Sequence, residues 1–242
     1  MNAVLTQRKY RLAARLATDT ARTFGLYTVI AFGVLLAASL LWRQITGEYA
    51  DFAAMLIFAV PLIVTVIAWA HLAKSYPLAI ATGLTRKEFL AAYALFGLAT
   101  VLVTALLTQL GLAVIDLFDT FRGVEHHMGF YGQTPLESVV RPALFFACGA
   151  AAAAAKLRFD RAWISAPLAA VVIAGVVYRS VAYFALMKLV GMENSSTDGT
   201  VFEYPNVDLS AVIPYLDAVL AAVFALIAWA LLARAPMRPK AN

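Results

Sequence analysis

Residues 24–42 carry no charge, and neither do residues 52–70. At about 1.5 Å rise per helical residue, nineteen residues extend about 28 Å, close to the roughly 30 Å hydrocarbon thickness of a bilayer. Composition agrees with that reading. Hydrophobic residues make up 63% of the 242, charged residues only 14%, and mean hydropathy is +0.81. A soluble domain is about half apolar and a quarter charged. So little charge cannot coat a water-soluble globule, which excludes an ordinary soluble enzyme and a disordered chain. A single cysteine, Cys148, excludes a disulfide scaffold.

Four further runs follow. Residues 89–117 hold Gln109 and Asp116 toward their far end. Residues 139–155 are the weakest candidate, because Arg141 and Lys156 leave only fourteen charge-free residues between them, about 21 Å of helix. Arg141 can snorkel, and Gly149 with the alanines at 150–155 suits close helix contact. Residues 162–190 are interrupted by Arg179, and residues 211–233 contain Asp217. The first run is too long for a signal-peptide core, so no cleavable leader is expected.

The basic residues test the count of six. Fourteen of nineteen fall in four alternate segments: Arg8, Lys9, Arg11, Arg15 and Arg22; Lys74, Arg86 and Lys87; Lys156, Arg158 and Arg161; Arg234, Arg238 and Lys240. Acids such as Glu48, Asp51, Glu125 and Glu203 favour the opposite side. Basic excess marks cytoplasmic segments, so both termini are predicted inside. Trp42, Trp69, Trp163 and Trp229 lie near run ends, where indoles favour the interface. The expected fold is all-α: a multi-pass protein of the cell membrane with a basic interfacial helix at 1–23, a six-helix domain at 24–233 and a basic cytoplasmic tail at 234–242.

Outside the runs, Arg8, Arg11, Arg15 and Arg22 recur at helical spacing, with Leu12, Ala13, Leu16 and Ala17 on another face. This predicts an amphipathic helix lying along the inner leaflet before the chain turns into the membrane. The loop at 74–89 is richest in local signals. Pro77 can start a short helix and Gly83 can end it in a left-handed conformation. Thr85-Arg86-Lys87-Glu88 then reads as a capping box opening the next long helix, with Arg86 and Lys87 at an exposed corner. His126 and His127 are read as ordinary exposed residues, since adjacent histidines cannot share one metal from regular structure and no third ligand is evident. No metal site is expected. Asn194-Ser195-Ser196 fits the glycosylation triplet, a pattern short enough to arise by chance.

Arg179 and Asp217 both fall in the outer half of the bilayer, and an ionised side chain there costs at least about 2.5 kcal/mol unless it faces protein or water. They are read as an intramembrane ion pair. No phosphate-binding loop, zinc-protease motif or nucleophile elbow occurs, and the three histidines leave little for acid–base work. Catalysis by this chain is not expected, and its positive charge belongs to the bilayer surface rather than to nucleic acid.

A basic N-terminal helix, six spans with both ends inside, and the corner Gly83-Leu-Thr-Arg-Lys-Glu-Phe89 together resemble the small permease subunits of bacterial ATP-binding-cassette exporters with the ABCG-like (type V) transmembrane fold. The resemblance implies that residues 77–82 form the coupling helix that docks on a separate ATPase. Pro77, Gly83, Thr85, Arg86, Lys87 and Glu88 would then form that contact. Gly83, Thr85, Arg86 and Phe89 match the family's Gly-x-Ser/Thr-Arg-Arg-x-Phe corner, with Lys87 in place of the second arginine. It also implies a second permease chain, identical or not, and ATP with Mg²⁺ on the ATPase, no cofactor being held by this chain. A non-transporting scaffold, sensor or immunity protein that docks a cytoplasmic partner at the same loop is the other reading.

Overall fold

The computed structural model describes residues 2–46, 52–121, 134–159 and 213–235, together with Ala166, Ala170 and Ala174. Every element among them is helical: α1 (Asn2–Thr20), a π-helical turn (Ala21–Gly25), α2 (Leu26–Thr46), α3 (Phe52–Ala81), α4 (Arg86–Phe121), α5 (Pro135–Arg158) and α6 (Ile213–Ala233). Five helices among the described residues are long and apolar enough to cross a membrane, as expected for a membrane protein. Four of the expected spans, 24–42, 52–70, 89–117 and 211–233, coincide with α2, α3, α4 and α6. Of the expected span at 162–190 only Ala166, Ala170 and Ala174 are described, each helical; Arg179 lies outside the described residues, as do the segments holding His126, His127 and Asn194.

The weakest span on paper is the centre of the bundle. α5 packs against α3, α4 and α6, and residues 146–155 are buried without exception. Small side chains permit this. A Cβ at Gly149 would sit inside 3.0 Å of the Thr65 carbonyl of α3, so only glycine lets the two backbones approach. Thr65 Oγ1 donates to the Phe145 carbonyl at 3.1 Å across the same contact. At Gly97 on α4, the missing side chain leaves room for the Phe146 ring. Phe89, Tyr93 and Phe96 of α4 then pack with Phe146 and Tyr76, ring centroids 5.3–5.9 Å apart. Buried within that cluster, the Tyr93 hydroxyl donates to the Ala68 carbonyl at 2.7 Å. α5 is also longer than the expected 139–155. Thr134 Oγ1 accepts from the Glu137 amide and Glu137 accepts from the Thr134 amide, both at 3.2 Å, a second capping box ahead of Pro135.

Two expectations about the N-terminal helix are corrected. No break occurs at residue 23: helical hydrogen bonding continues from α1 through the π-helical turn into α2, giving one rod over Arg8–Thr46. The π turn admits one extra residue without ending the helix. Nor is the apolar side of α1 left for lipid. Ala13 and Leu16 are buried, and Leu12, Leu16 and Ala17 join the core cluster, because α1 packs along α4. At the other end of the rod, Ser39 of α2 accepts from the Phe52 amide at 3.0 Å and so satisfies an open N–H at the start of α3.

Candidate functional site: the α3–α4 corner

Residues 79–89 form a stiff reversal built from two complementary caps. α3 ends on Gly83, whose φ of +80° is the left-handed conformation only glycine adopts without cost. The Gly83 amide donates to the Ile80 carbonyl at 3.1 Å and the Leu84 amide to the Ala79 carbonyl at 3.0 Å. These are the two bonds of a Schellman ending, accompanied here by Leu84 packing against the core that contains Ala79. One residue later α4 opens on the expected capping box. Thr85 Oγ1 accepts from the Glu88 amide at 3.3 Å, and the Glu88 carboxylate accepts from the Thr85 amide at 3.0 Å and from its hydroxyl at 2.8 Å. Those bonds from Thr85 hold the Glu88 carboxyl below its ordinary range, and the charges of Arg8 and Lys9 act in the same direction.

The separate short helix expected from Pro77 is absent. α3 runs through Pro77 to Ala81 without a break, so this stretch is the last turns of a long helix. Proline's fixed φ is itself helical, and an exposed position near a helix end tolerates the lost hydrogen bond that would break a buried one. The same residue that can begin a helix can therefore sit inside one.

Arg86 is also placed differently from the sequence expectation. It is half-buried rather than exposed, and its guanidinium donates from both Nη atoms, to the Ala233 and Ala235 carbonyls at 2.6 Å each. Those are open carbonyls at the end of α6, the groups a helix cannot satisfy itself. Arg158, at the end of α5, donates to the neighbouring Arg234 carbonyl. The corner is thereby tied to the ends of α5 and α6. Of the expected contact residues, Pro77, Gly83, Thr85 and Lys87 remain exposed, with Leu78 beside them, while Arg86 and Glu88 are engaged within the chain.

At the opposite end of the bundle, Asp217 is buried in the first turns of α6, and Ser138 is buried and accepts from Gln109 Nε2. Arg179, the expected partner of Asp217, lies outside the described residues. Among the described residues no group of three histidine, cysteine or acidic side chains is arranged to hold a metal. No protein family, curated protein or solved structure matches the chain.

Proposed function

We propose that the chain is the membrane permease subunit of an ATP-driven transporter, an exporter by its family resemblance, driven through the 77–88 corner by a separate cytoplasmic ATPase. In this reading it spans the cell membrane six times with both termini inside, and two such chains enclose the pathway, since one bundle supplies only one wall. The observation that carries the reading is the construction of the corner. Two caps satisfy the backbone amides of Gly83, Leu84, Thr85 and Glu88, and Arg86 and Arg158 join the corner to residues 233–235 at the end of α6. A force applied at Pro77, Leu78 and Lys87 would move α3, α4 and the end of α6 as a unit. A mechanical input needs that property, and a simple chain reversal does not.

Orientation follows from the basic bias and places the corner on the cytoplasmic side beside α1. An ATPase supplies the differential binding that shifts a two-state bundle between its forms. The test is purification of the intact complex in mild detergent. An ATP-hydrolysing subunit should co-purify with wild type and be lost from Lys87→Glu, whose side chain makes no described contact within the fold, while the variant unfolds as wild type does. A partner that co-purifies without hydrolysing ATP replaces the transporter reading with that of a docking scaffold, and no partner at all overturns both.

A further inference from the structure

The α1–α2 rod does not lie flush on the bundle. Between it, α3 and α4 runs a groove of about 270 Å³, bounded by Phe24, Thr28 and Phe32 on the rod, Val60 and Val64 on α3, and Thr104 on α4. We infer that this groove is a binding site for one anionic phospholipid, with an acyl chain in the groove and the phosphate held by Arg22 and Lys74 at its basic end.

Several observations favour that occupant. The walls are apolar, and where a threonine lines them its hydroxyl can turn inward: Thr100 Oγ1 donates to the Phe96 carbonyl of its own helix at 2.9 Å. Water needs two to four polar partners, whereas an apolar cavity of about 150 Å³ already stays dry and accepts a small hydrocarbon. The length also fits. Lining residues run from Ala17 to Phe32 on the rod and from Leu56 to Ile67 on α3, about 22 Å and about 17 Å along the two axes, long enough for an acyl chain. One leaflet contributes about 15 Å of hydrocarbon.

The depth of the groove's mouth is marked by Trp69, two residues past Ile67, with Lys156 Nζ 5.5 Å from its ring centroid. Indoles and lysines pair in this way at the headgroup level. Thr20, which lines the mouth, lies 2.9 Å from His71 Nε2 and pins the rod to α3. Exposed Lys74 stands one turn beyond His71, and exposed Arg22 follows the lining residue Ala21. The acid in this region, Asp19, has Arg15 as its partner at 4.0 Å. An apolar slot at least one leaflet deep, with the exposed cations Arg22 beside its lining and Lys74 beyond its end, is complementary to an anionic two-part ligand and poorly suited to a neutral one. Its π-helical rim is also unfilled, for a Cβ at Gly25 would meet nothing within 4 Å. The site is independent of the transport proposal and holds for a scaffold as well.

Native mass spectrometry of the full chain tests it, after equilibration with vesicles of equal parts phosphatidylglycerol and phosphatidylcholine. Wild type should retain one phosphatidylglycerol in preference to phosphatidylcholine. Gly25→Leu and Thr100→Phe, which grow side chains into the groove, should lose the retained lipid. Arg22→Glu with Lys74→Glu should keep a lipid but lower the preference about tenfold or more, as expected for reversing two cations at a membrane surface. Should Gly25→Leu fail to fold because it sits in the π turn, Thr100→Phe decides alone. Equal retention of both lipids by wild type, no retention at all, or retention unaffected by the folded filling variants would overturn the inference.

Discussion

Replacing Gly149 by alanine adds one methyl group where the α5 backbone closely approaches that of α3. The new Cβ would lie within 3.0 Å of the Thr65 carbonyl group and of the Ala68 Cβ. Carbon atoms in contact prefer about 3.5–4.0 Å, so α5 has to withdraw from α3 by roughly 1 Å. Backbone cannot rotate out of the way as a side-chain tip can. Overpacking of this kind costs about 1–3 kcal/mol. The retreat also stretches the Thr65–Phe145 hydrogen bond, 3.1 Å long before the change, a loss of about 0.5–1.5 kcal/mol. Alanine's better helix propensity returns about 1 kcal/mol. The net expectation is a loss of about 1–3 kcal/mol. Helicity followed through a titration from mild detergent into sodium dodecyl sulfate measures it. Gly33→Ala is the matched control, since a Cβ there meets nothing within 4 Å; it should be neutral or slightly stabilising. In combination with Thr65→Val, Gly149→Ala should cost less than the two separate losses added, because both act on one contact. Equal midpoints for Gly149→Ala and Gly33→Ala would refute the claim that close approach of α3 and α5 organises the bundle.

Arg86→Gln removes the fork that holds the Ala233 and Ala235 carbonyls, and hydrogen bonds to a charged group are worth about 1.5–3 kcal/mol, less where partly solvated; amide exchange near the end of α6 should quicken while the far end is unchanged. Gly83→Ala forces a Cβ into the left-handed region and should cost about 1–2 kcal/mol, despite open space around it, and Gly83→Asn should recover part of that loss. The capping box carries a pH dependence of defined sign. Glu88 has a lowered pKa in the fold, so its contribution is complete above the ordinary glutamate range and is lost as pH falls through the lowered value. Exchange of the amides at Thr85 and Glu88 should therefore accelerate on acidification, beyond the intrinsic trend of a peptide standard, and Glu88→Gln should abolish the extra response.

Much of this architecture was legible because it is written locally. Uncharged runs of nineteen residues, Gly83 two positions before Thr85, and glutamate three positions after that threonine each act within one or two helical turns. The four-residue pattern at Thr134 to Glu137 is the same signal and was equally readable, yet it stands beside the short run at 139–155 and passes for loop. Pro77 misleads because a fixed helical φ serves a helix start and a helix interior alike. Arg86 could not be placed from sequence at all: its acceptors lie nearly 150 positions away on α6, and backbone carbonyls leave no pattern to match. Nor does an amphipathic helix reveal whether its apolar side meets lipid or protein. Leu16 meets protein because α1 packs along α4.

Between α5 and α6 burial runs against hydropathy, and this bears on assembly. The most apolar stretch of α5 has a mean hydropathy of 1.5 and is 72% buried, whereas that of α6 has 2.4 and is 22% buried. Polar and small residues are affordable in α5 because helices surround it. α6 meets its surroundings directly and must be apolar enough to do so. The difference predicts that α5 depends on its neighbours to enter the membrane and α6 does not. Charged residues at the centre of a lone helix cost about 2.5–3.5 kcal/mol, falling toward its ends, while each leucine or phenylalanine returns only about 0.3–0.6. α5 carries Glu137, Arg141, Lys156 and Arg158 around a core of alanines. In a translocon insertion assay, the isolated segment 135–158 should insert in a minor fraction of molecules and the segment 213–233 in most of them. Arg141→Leu should rescue 135–158 substantially, whereas Gly149→Ala should leave its insertion nearly unchanged, because that glycine matters only once α3 is present. Efficient insertion of α5 alone would refute the dependence and return the helix to the class of autonomous spans.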